Sequence, residues 1–218
     1  MLDCIDPGIK TICKTEEVCV LEKLLTQEQQ NIILSASEEN AKLSQEILAH
    51  AVSLRDTFGK HGIEYDTKIF NVLEFVQLLQ CDLNWLLGDL VKHHATLRGN
   101  LYGRILVLTI YESCKKFPTL LGPKFRKEFI KRLGWKDDQD LKEIHSNFSK
   151  LFDRCTVEFK NVRHGIIGHW DCDPDIRIEL LKQANAQAVA DLVIAMLKPL
   201  RELQEVLLSY VRYIMKGQ

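Results

Sequence analysis

Arg163, His164 and His169 lie within one short stretch, Arg163-His164-Gly165-Ile166-Ile167-Gly168-His169. Arginine is a fixed-charge fork that matches phosphate oxygens. Histidine takes or gives a proton near neutral pH. Together they are a minimal kit for cleaving an RNA phosphodiester without a metal ion. The histidine would deprotonate the 2′-OH or protonate the leaving 5′-oxygen. The arginine would stabilise charge developing on the phosphoryl group. The two are separated by five residues across a glycine-containing turn, so both can project to the same side. Singly, each has an ordinary explanation: an arginine at a helix C-terminus suits the macrodipole, and a histidine before the next helix is a common loop residue. Only the combination points to chemistry.

The elements that must position this turn read as helices. Leu21, Leu25, Ile32, Ala36, Leu43, Ile47, Leu54 and Phe58 recur on one helical face, predicting a helix from about Glu16 to Phe58. Gly59 to Tyr65 breaks it. A second helix is expected over Asp66–His94, with Asp66 as N-cap and Ile69, Val72, Val76, Leu79, Leu83, Leu86 and Leu90 as its stripe. Gly99 and Asn100 mark a turn, and a third helix runs from about Leu101 to Phe117, stopping before Pro118. A short helix over Lys124–Leu133 is closed by Gly134. The next long helix begins near Asp137–Asp140 and carries Leu141, Ile144, Phe148, Leu151, Phe152, Cys155, Phe159 and Val162 inward. The last begins at Asp173-Pro174, an N-cap followed by proline. It runs toward Gly217, with Pro199 expected to kink or split it. No alternating strand pattern occurs. The expected fold is all-α, a bundle of four to five long helices, with residues 1–15 as a tail and 16–218 as a single helical domain.

Three groups of residues surround the turn in this reading. Glu112 continues the stripe Leu101, Ile105, Leu108. Either it is buried and reaches Arg163 to orient it, or the stripe ends near Leu108 and the carboxylate is solvated. Tyr111 and Arg104 lie on a neighbouring face and read mainly as helix surface. Lys115, Lys116, Lys124, Arg126, Lys127, Lys131, Arg132 and Lys136 form the one strong charge asymmetry, opposed within that window only by Glu128. Of these, Lys124, Arg126, Lys127, Lys131 and Arg132 would hold an RNA backbone, or simply form a solvated face. The interleaved Phe117, Phe125, Phe129 and Trp135 read as packed beneath the short helix rather than stacking on bases. Cys155, His164, His169 and Cys172 fall within eighteen residues, but their spacing fits no common zinc pattern. His93 and His94 read as surface residues near a helix end.

Bulk properties narrow the class. Formal net charge is −1, so any attraction to nucleic acid must be local. Seven cysteines, without a C-x-x-C, suggest free thiols in a reducing cytoplasm rather than a disulfide scaffold. The N-terminus lacks a basic region followed by an apolar run, and no stretch has the ~20 apolar residues a membrane span needs. The expectation is a soluble, cytoplasmic protein that does not engage a membrane. No P-loop, GxGxxG, GxSxG or HExxH is present, and the chemistry at Arg163 and His169 calls for no cofactor or metal.

A long helix ending in Arg, a polar residue, spacer residues and His, then another helix, resembles the HEPN superfamily (higher eukaryotes and prokaryotes nucleotide-binding). Arg163, His164 and His169 match its motif, and the surrounding VRHGIIGHWD is most similar to its abortive-infection branches. The motif covers about ten residues, and the helix pattern extends the resemblance over roughly Leu101 to Leu200. The resemblance implies an all-α bundle that dimerises with its motifs facing each other. In active members it implies a metal-independent endoribonuclease, often a toxin or antiphage effector. An acidic residue on an earlier helix, here Glu112, is common in the superfamily. Some members carry a tyrosine two residues after the histidine; this chain has Asp171, and nothing tied to that tyrosine carries over. The dimer also follows from economy, since a two-fold axis brings two Arg–His pairs to one scissile phosphate. The alternative is a non-catalytic helical protein that uses the same fold for dimerisation or partner binding; a third reading is the toxin or regulator half of a two-gene pair, silenced by an antitoxin protein.

Overall fold

The computed structural model of the protein describes residues 26–94, 96–135, 137–160 and 186–216. Among the described residues there are six helices and no strand: α1 (Gln27–Lys60), α2 (Thr67–Lys92), α3 (Leu97–Leu120), α4 (Pro123–Leu133), α5 (Gln139–Glu158) and α6 (Ala186–Lys216). The all-α expectation therefore holds. No described helix is long and apolar enough to cross a membrane.

The helix starts are written in local chemistry. Thr26 and Gln29 form a reciprocal capping box at α1. The Asp66 carboxylate accepts from the Lys68 amide at 2.9 Å, as its N-cap reading requires. The Asp66 amide itself donates to the Tyr210 hydroxyl at 2.6 Å, which ties the start of α2 to α6. Helix α4 starts with Pro123 and ends on Gly134 at φ 64°, a left-handed cap that glycine adopts without strain.

Helices α2, α3, α5 and α6 form a closed ring in which each packs on the next, α6 returns to α2, and α3 also meets α6. Helix α1 packs chiefly on α2. One core draws on every helix, including Phe58 of α1 and Phe129 of α4. The stripes read for α2 and α5 are the buried ones: Ile69, Val72, Val76, Leu79, Leu83 and Leu90 in α2, and Leu141, Ile144, Phe148, Leu151 and Cys155 in α5. Phe159 just beyond α5 is buried too. Leu86 and Phe152 are half-buried.

Several boundaries and faces differ from expectation. Of the stripe read for α1, Phe58 is buried and Ile47 and Leu54 are half-buried, while Ile32 and Leu43 are exposed; the helix otherwise buries Ser37, Ala41, Ser44 and Ala51. Small side chains let α1 lie close along α2, with Ser37 opposite Gly88. Gly99 and Asn100 are not a turn before a helix; they belong to the first turn of α3, capped by Thr96. Gly99 is there for space: a Cβ would sit 2.1 Å from the His93 carbonyl oxygen. Helix α3 does not stop before Pro118 but runs through it to Leu120. In the final turn proline forfeits one hydrogen bond, and Leu121 closes the helix by donating to the Phe117 carbonyl at 2.8 Å. Pro199 does not split α6, which runs unbroken from Ala186 to Lys216. Pro199 is buried, as are Met196 and Leu200 on the same helix, although an interior proline costs ~3 kcal/mol. The expected tail, residues 16–25 of the first helix, and the Asp173-Pro174 start of the last helix lie outside the described residues.

The core holds one polar group at its own expense. Gln77 is fully buried, and neither end of its amide has a hydrogen-bond partner among the described residues. Burying such an amide costs ~1–3 kcal/mol. Gln77→Leu is expected to raise the unfolding free energy by about that amount, read from urea titration with an unchanged slope. A lowered midpoint would contradict the reading.

Cys114 is fully buried and Cys155 nearly so. Burial, with a smaller contribution from Cys155, pushes the Cys114 thiol far up; burial pushes Cys155 up to about 11. Thiolate, the reactive form, is thus scarce at neutral pH. Both should resist iodoacetamide in the folded protein and label fully in denaturant, by peptide mass spectrometry. Labelling of either at the unfolded rate would overturn this.

Candidate functional site

Arg163, His164 and His169 lie outside the described residues, as does Cys172. What the structure describes is their frame. The stretch joins α5 to α6, two helices that pack against each other and against α3.

Glu112 stands on the exposed face of α3. The stripe that led to it is not the core stripe. Leu101 and Ile105 are 46% and 37% exposed, and Leu108 is half-buried. The residues α3 turns inward are Leu106, Val107, Ile110, Cys114 and Phe117, about half a turn away on the opposite face. The carboxylate is therefore solvated, and burial no longer obliges it to find a cation. Of its neighbours, Tyr111 stacks on Phe152 with ring centroids 5.1 Å apart. Arg104 is half-buried, and its Nε has no hydrogen-bond partner among the described residues. Neither is plain helix surface.

The five basic residues assigned to RNA divide into two sets. Arg126 is held on both sides of its fork: Nε donates to Asp138 at 3.0 Å and one terminal nitrogen to the Leu121 carbonyl at 2.9 Å. Lys142, and then Arg126, hold the Asp138 carboxyl below its ordinary range. That clamp joins the end of α3, helix α4 and the start of α5. Because the Asp138 pKa is depressed, the clamp's contribution is present above the ordinary carboxylate pKa and is lost as pH falls through the lower folded value. Arg132 pairs with Glu64 and Asp66, each at 3.3 Å, tying the end of α4 to the start of α2. Both arginines are thus committed to the fold. The sequence window missed this because Asp138, Glu64 and Asp66 all lie outside it.

Lys124, Lys127 and Lys131 are different. They recur at spacings of three and four on one face of α4, all are exposed, and none has an ion pair among the described residues. The opposite face of α4 buries Phe129 against Trp135 and Tyr210, with Phe125 stacked beside it. Phe125, Phe129 and Trp135 thus pack with α4 as the sequence reading has them, whereas Phe117 is buried against Phe148 and Phe75. Exposed Lys115 and Lys116 extend the basic face from α3. Beside it lies a groove of about 510 Å³ between α2, α3 and α4, with Lys116 and Lys124 on its rim and Phe75, Leu120 and Phe125 within. Lys68 on the same rim is within 3.7 Å of Glu128. Lys136 lies outside the described residues.

His93 caps the end of α2 and His94 follows it, and both are half-buried rather than on the surface. His93 stacks on Tyr102, and His94 Nδ1 is 2.7 Å from the Val91 carbonyl. Cys155 faces the core beside Cys114, which commits it to packing.

The sequence reading passed over one group of residues. Gln80, Asn84 and Gln204 are buried and line a cleft between α1, α2 and α6. The signal was present: Gln77, Gln80 and Asn84 interrupt an otherwise apolar helix at spacings of three and four. Comparison of the chain with protein-family models, curated proteins and solved structures finds no match.

Proposed function

We propose that the protein is a metal-independent endoribonuclease of HEPN type that acts as a homodimer, in the manner of a toxin or antiphage effector. Arg163 and His169 form the catalytic pair, with His164 as an assisting polar group. The observation that carries the reading is the Arg163-His164-x4-His169 motif, set between two long helices that pack on each other. Glu112 serves as the orienting acid only from a solvated position on α3. The RNA backbone runs along Lys124, Lys127 and Lys131, with Arg126 and Arg132 holding α4 in place beneath it.

The exposed Leu101 and Ile105 supply an apolar face on α3 for a second copy of the chain. That same face favours the second reading, a non-catalytic helical protein that dimerises or receives an antitoxin-like partner. RNA cleavage in excess EDTA by the wild-type chain separates the two, with the oligomeric state followed by sedimentation.

The lysine face has its own test. Replacing Lys124, Lys127 and Lys131 together by Gln should weaken RNA binding uniformly across sequences. It should also reduce the slope of log affinity against log salt by about 2–3, with little change in melting temperature, since these side chains have no ion pair among the described residues. An unchanged slope would remove them from the RNA path.

A further inference from the structure

The cleft between α1, α2 and α6 has a volume of about 170 Å³. Three of the side chains lining it are amides at least nine-tenths buried: Gln80 at 7% exposure, Asn84 at 3% and Gln204 at 9%. The Asn84 amide nitrogen donates to the Gln80 carbonyl, 2.7 Å away, leaving its oxygen and second hydrogen available. Unlike Gln77, whose amide is sealed in the core, these side chains border open space. The rest of the lining mixes apolar Leu43 and Ile47 on α1 and Leu197 on α6 with Asn40, Ser44 and the charged Arg201 and Glu205.

We infer that this cleft binds a nucleobase. Asn and Gln amides present a donor and an acceptor side by side, the pattern that pairs with a heterocycle's edge. Leu43, Ile47 and Leu197 suit its ring faces, and the Glu205 carboxylate, which also lines the cleft, disfavours a second carboxylate there. The cleft is too small for a large ligand and too rich in hydrogen-bonding groups for an apolar one.

What surrounds the cleft sets the rest of the ligand. Arg201 lies at its rim and also lines a larger groove of about 740 Å³ between α5 and α6. Lys198 is in that groove, together with Asp140, Glu143 and Glu202. One phosphate can meet Arg201 and Lys198, and the carboxylates can accept from ribose hydroxyls. A chain of phosphates would meet those carboxylates as well. The ligand is therefore a nucleoside or nucleoside monophosphate in preference to a triphosphate. The inference draws on residues different from those of the ribonuclease reading and stands whether or not RNA is cleaved.

The test is calorimetric titration of the full chain with the four ribonucleoside monophosphates, the corresponding nucleosides, ATP and a short single-stranded oligoribonucleotide. At least one monophosphate should bind saturably at one site, more tightly than its triphosphate. Gln204→Met should weaken binding roughly ten- to a hundredfold, the loss expected for one paired base edge. Arg201→Ala should weaken the monophosphate but not the nucleoside. In wild-type protein, the side-chain amide NMR signals of Gln80, Asn84 and Gln204 should shift on titration, a readout independent of how any variant folds. Binding by the free nucleotides assigns the cleft to a small molecule. Saturable binding by the oligonucleotide alone, with the same signals shifting, assigns it to a base of an RNA strand. If none of these ligands binds, or if binding leaves the three amide signals unmoved, the cleft holds only water and the inference fails.

Discussion

Arg163→Ala and His169→Ala are each expected to lower RNA cleavage in excess EDTA by about 10²–10⁴-fold, while leaving RNA affinity within a fewfold of wild type. The range follows from the roles assigned. A positioned general acid or base contributes roughly 10²–10⁴, and one donor to the developing phosphoryl charge contributes about 10²–10³. Two residues acting on one transition state should also be non-additive, so the double variant should fall little below the worse single one. His164→Ala should cost less, since it assists. Glu112→Gln is the informative fourth variant. Glu112 is solvated on α3, so a rate loss would reflect orientation of Arg163 rather than loss of a structural ion pair. Its melting temperature should not change. If Arg163→Ala and His169→Ala both cleave as well as wild type, the catalytic assignment is wrong.

Phe117→Ala should be among the most destabilising single substitutions in the chain, at ~3–5 kcal/mol. Phe117 is fully buried, stacks on Phe148 of α5 with ring centroids 3.9 Å apart and planes at 7°, and leans on Phe75 of α2 at 5.6 Å. One side chain thus joins three of the four helices in the central ring. Its loss removes the transfer free energy of a phenyl ring and leaves a cavity between elements that cannot all collapse at once. The Phe117–Phe148 pair should add ~0.5–1.5 kcal/mol of coupling beyond burial, measurable in a double-mutant cycle with Phe148→Ala. A cost for Phe117→Ala below that of an exposed-site substitution would contradict the packing. Urea titration of the four proteins provides every number needed.

The places where sequence and structure agree share a physical cause. Helices α2 and α5 bury large aliphatic and aromatic side chains, so the residues that look inward are the ones that are inward. Asp66, Gly134 and Pro123 announce helix ends because capping and left-handed geometry restrict those positions to few residue types. Helix α1 misleads because close approach to α2 selects small residues, and Ser37, Ala41 and Ser44 give no apolar signal. Helix α3 misleads because it carries two apolar stripes, and the one through Leu101 and Ile105 faces out. Gly99 looks like a turn because a glycine needed for close approach and one needed for a turn are the same letter.

The sequence offers the candidate site as chemistry and not as geometry. The spacing of Arg163 and His169 is compatible with a shared side of a turn, but does not say what stands opposite them. Charge counting found the basic segment, yet it could not tell Arg126 and Arg132, bound to carboxylates beyond the window, from Lys124, Lys127 and Lys131, which remain open. The amides at Gln80, Asn84 and Gln204 were visible as breaks in an apolar pattern. Only the packing of α6 near α1 and α2 shows that they border one cleft.

The most direct measurement is incubation of the purified wild-type chain with single-stranded RNA in excess EDTA, followed by analysis of the new ends. A histidine that deprotonates the 2′-OH predicts endonucleolytic products with 2′,3′-cyclic phosphate and 5′-hydroxyl termini. That activity should be lost in both Arg163→Ala and His169→Ala. Intact RNA under these conditions, or cleavage that appears only when a divalent metal is restored, would contradict a metal-independent ribonuclease built on Arg163 and His169.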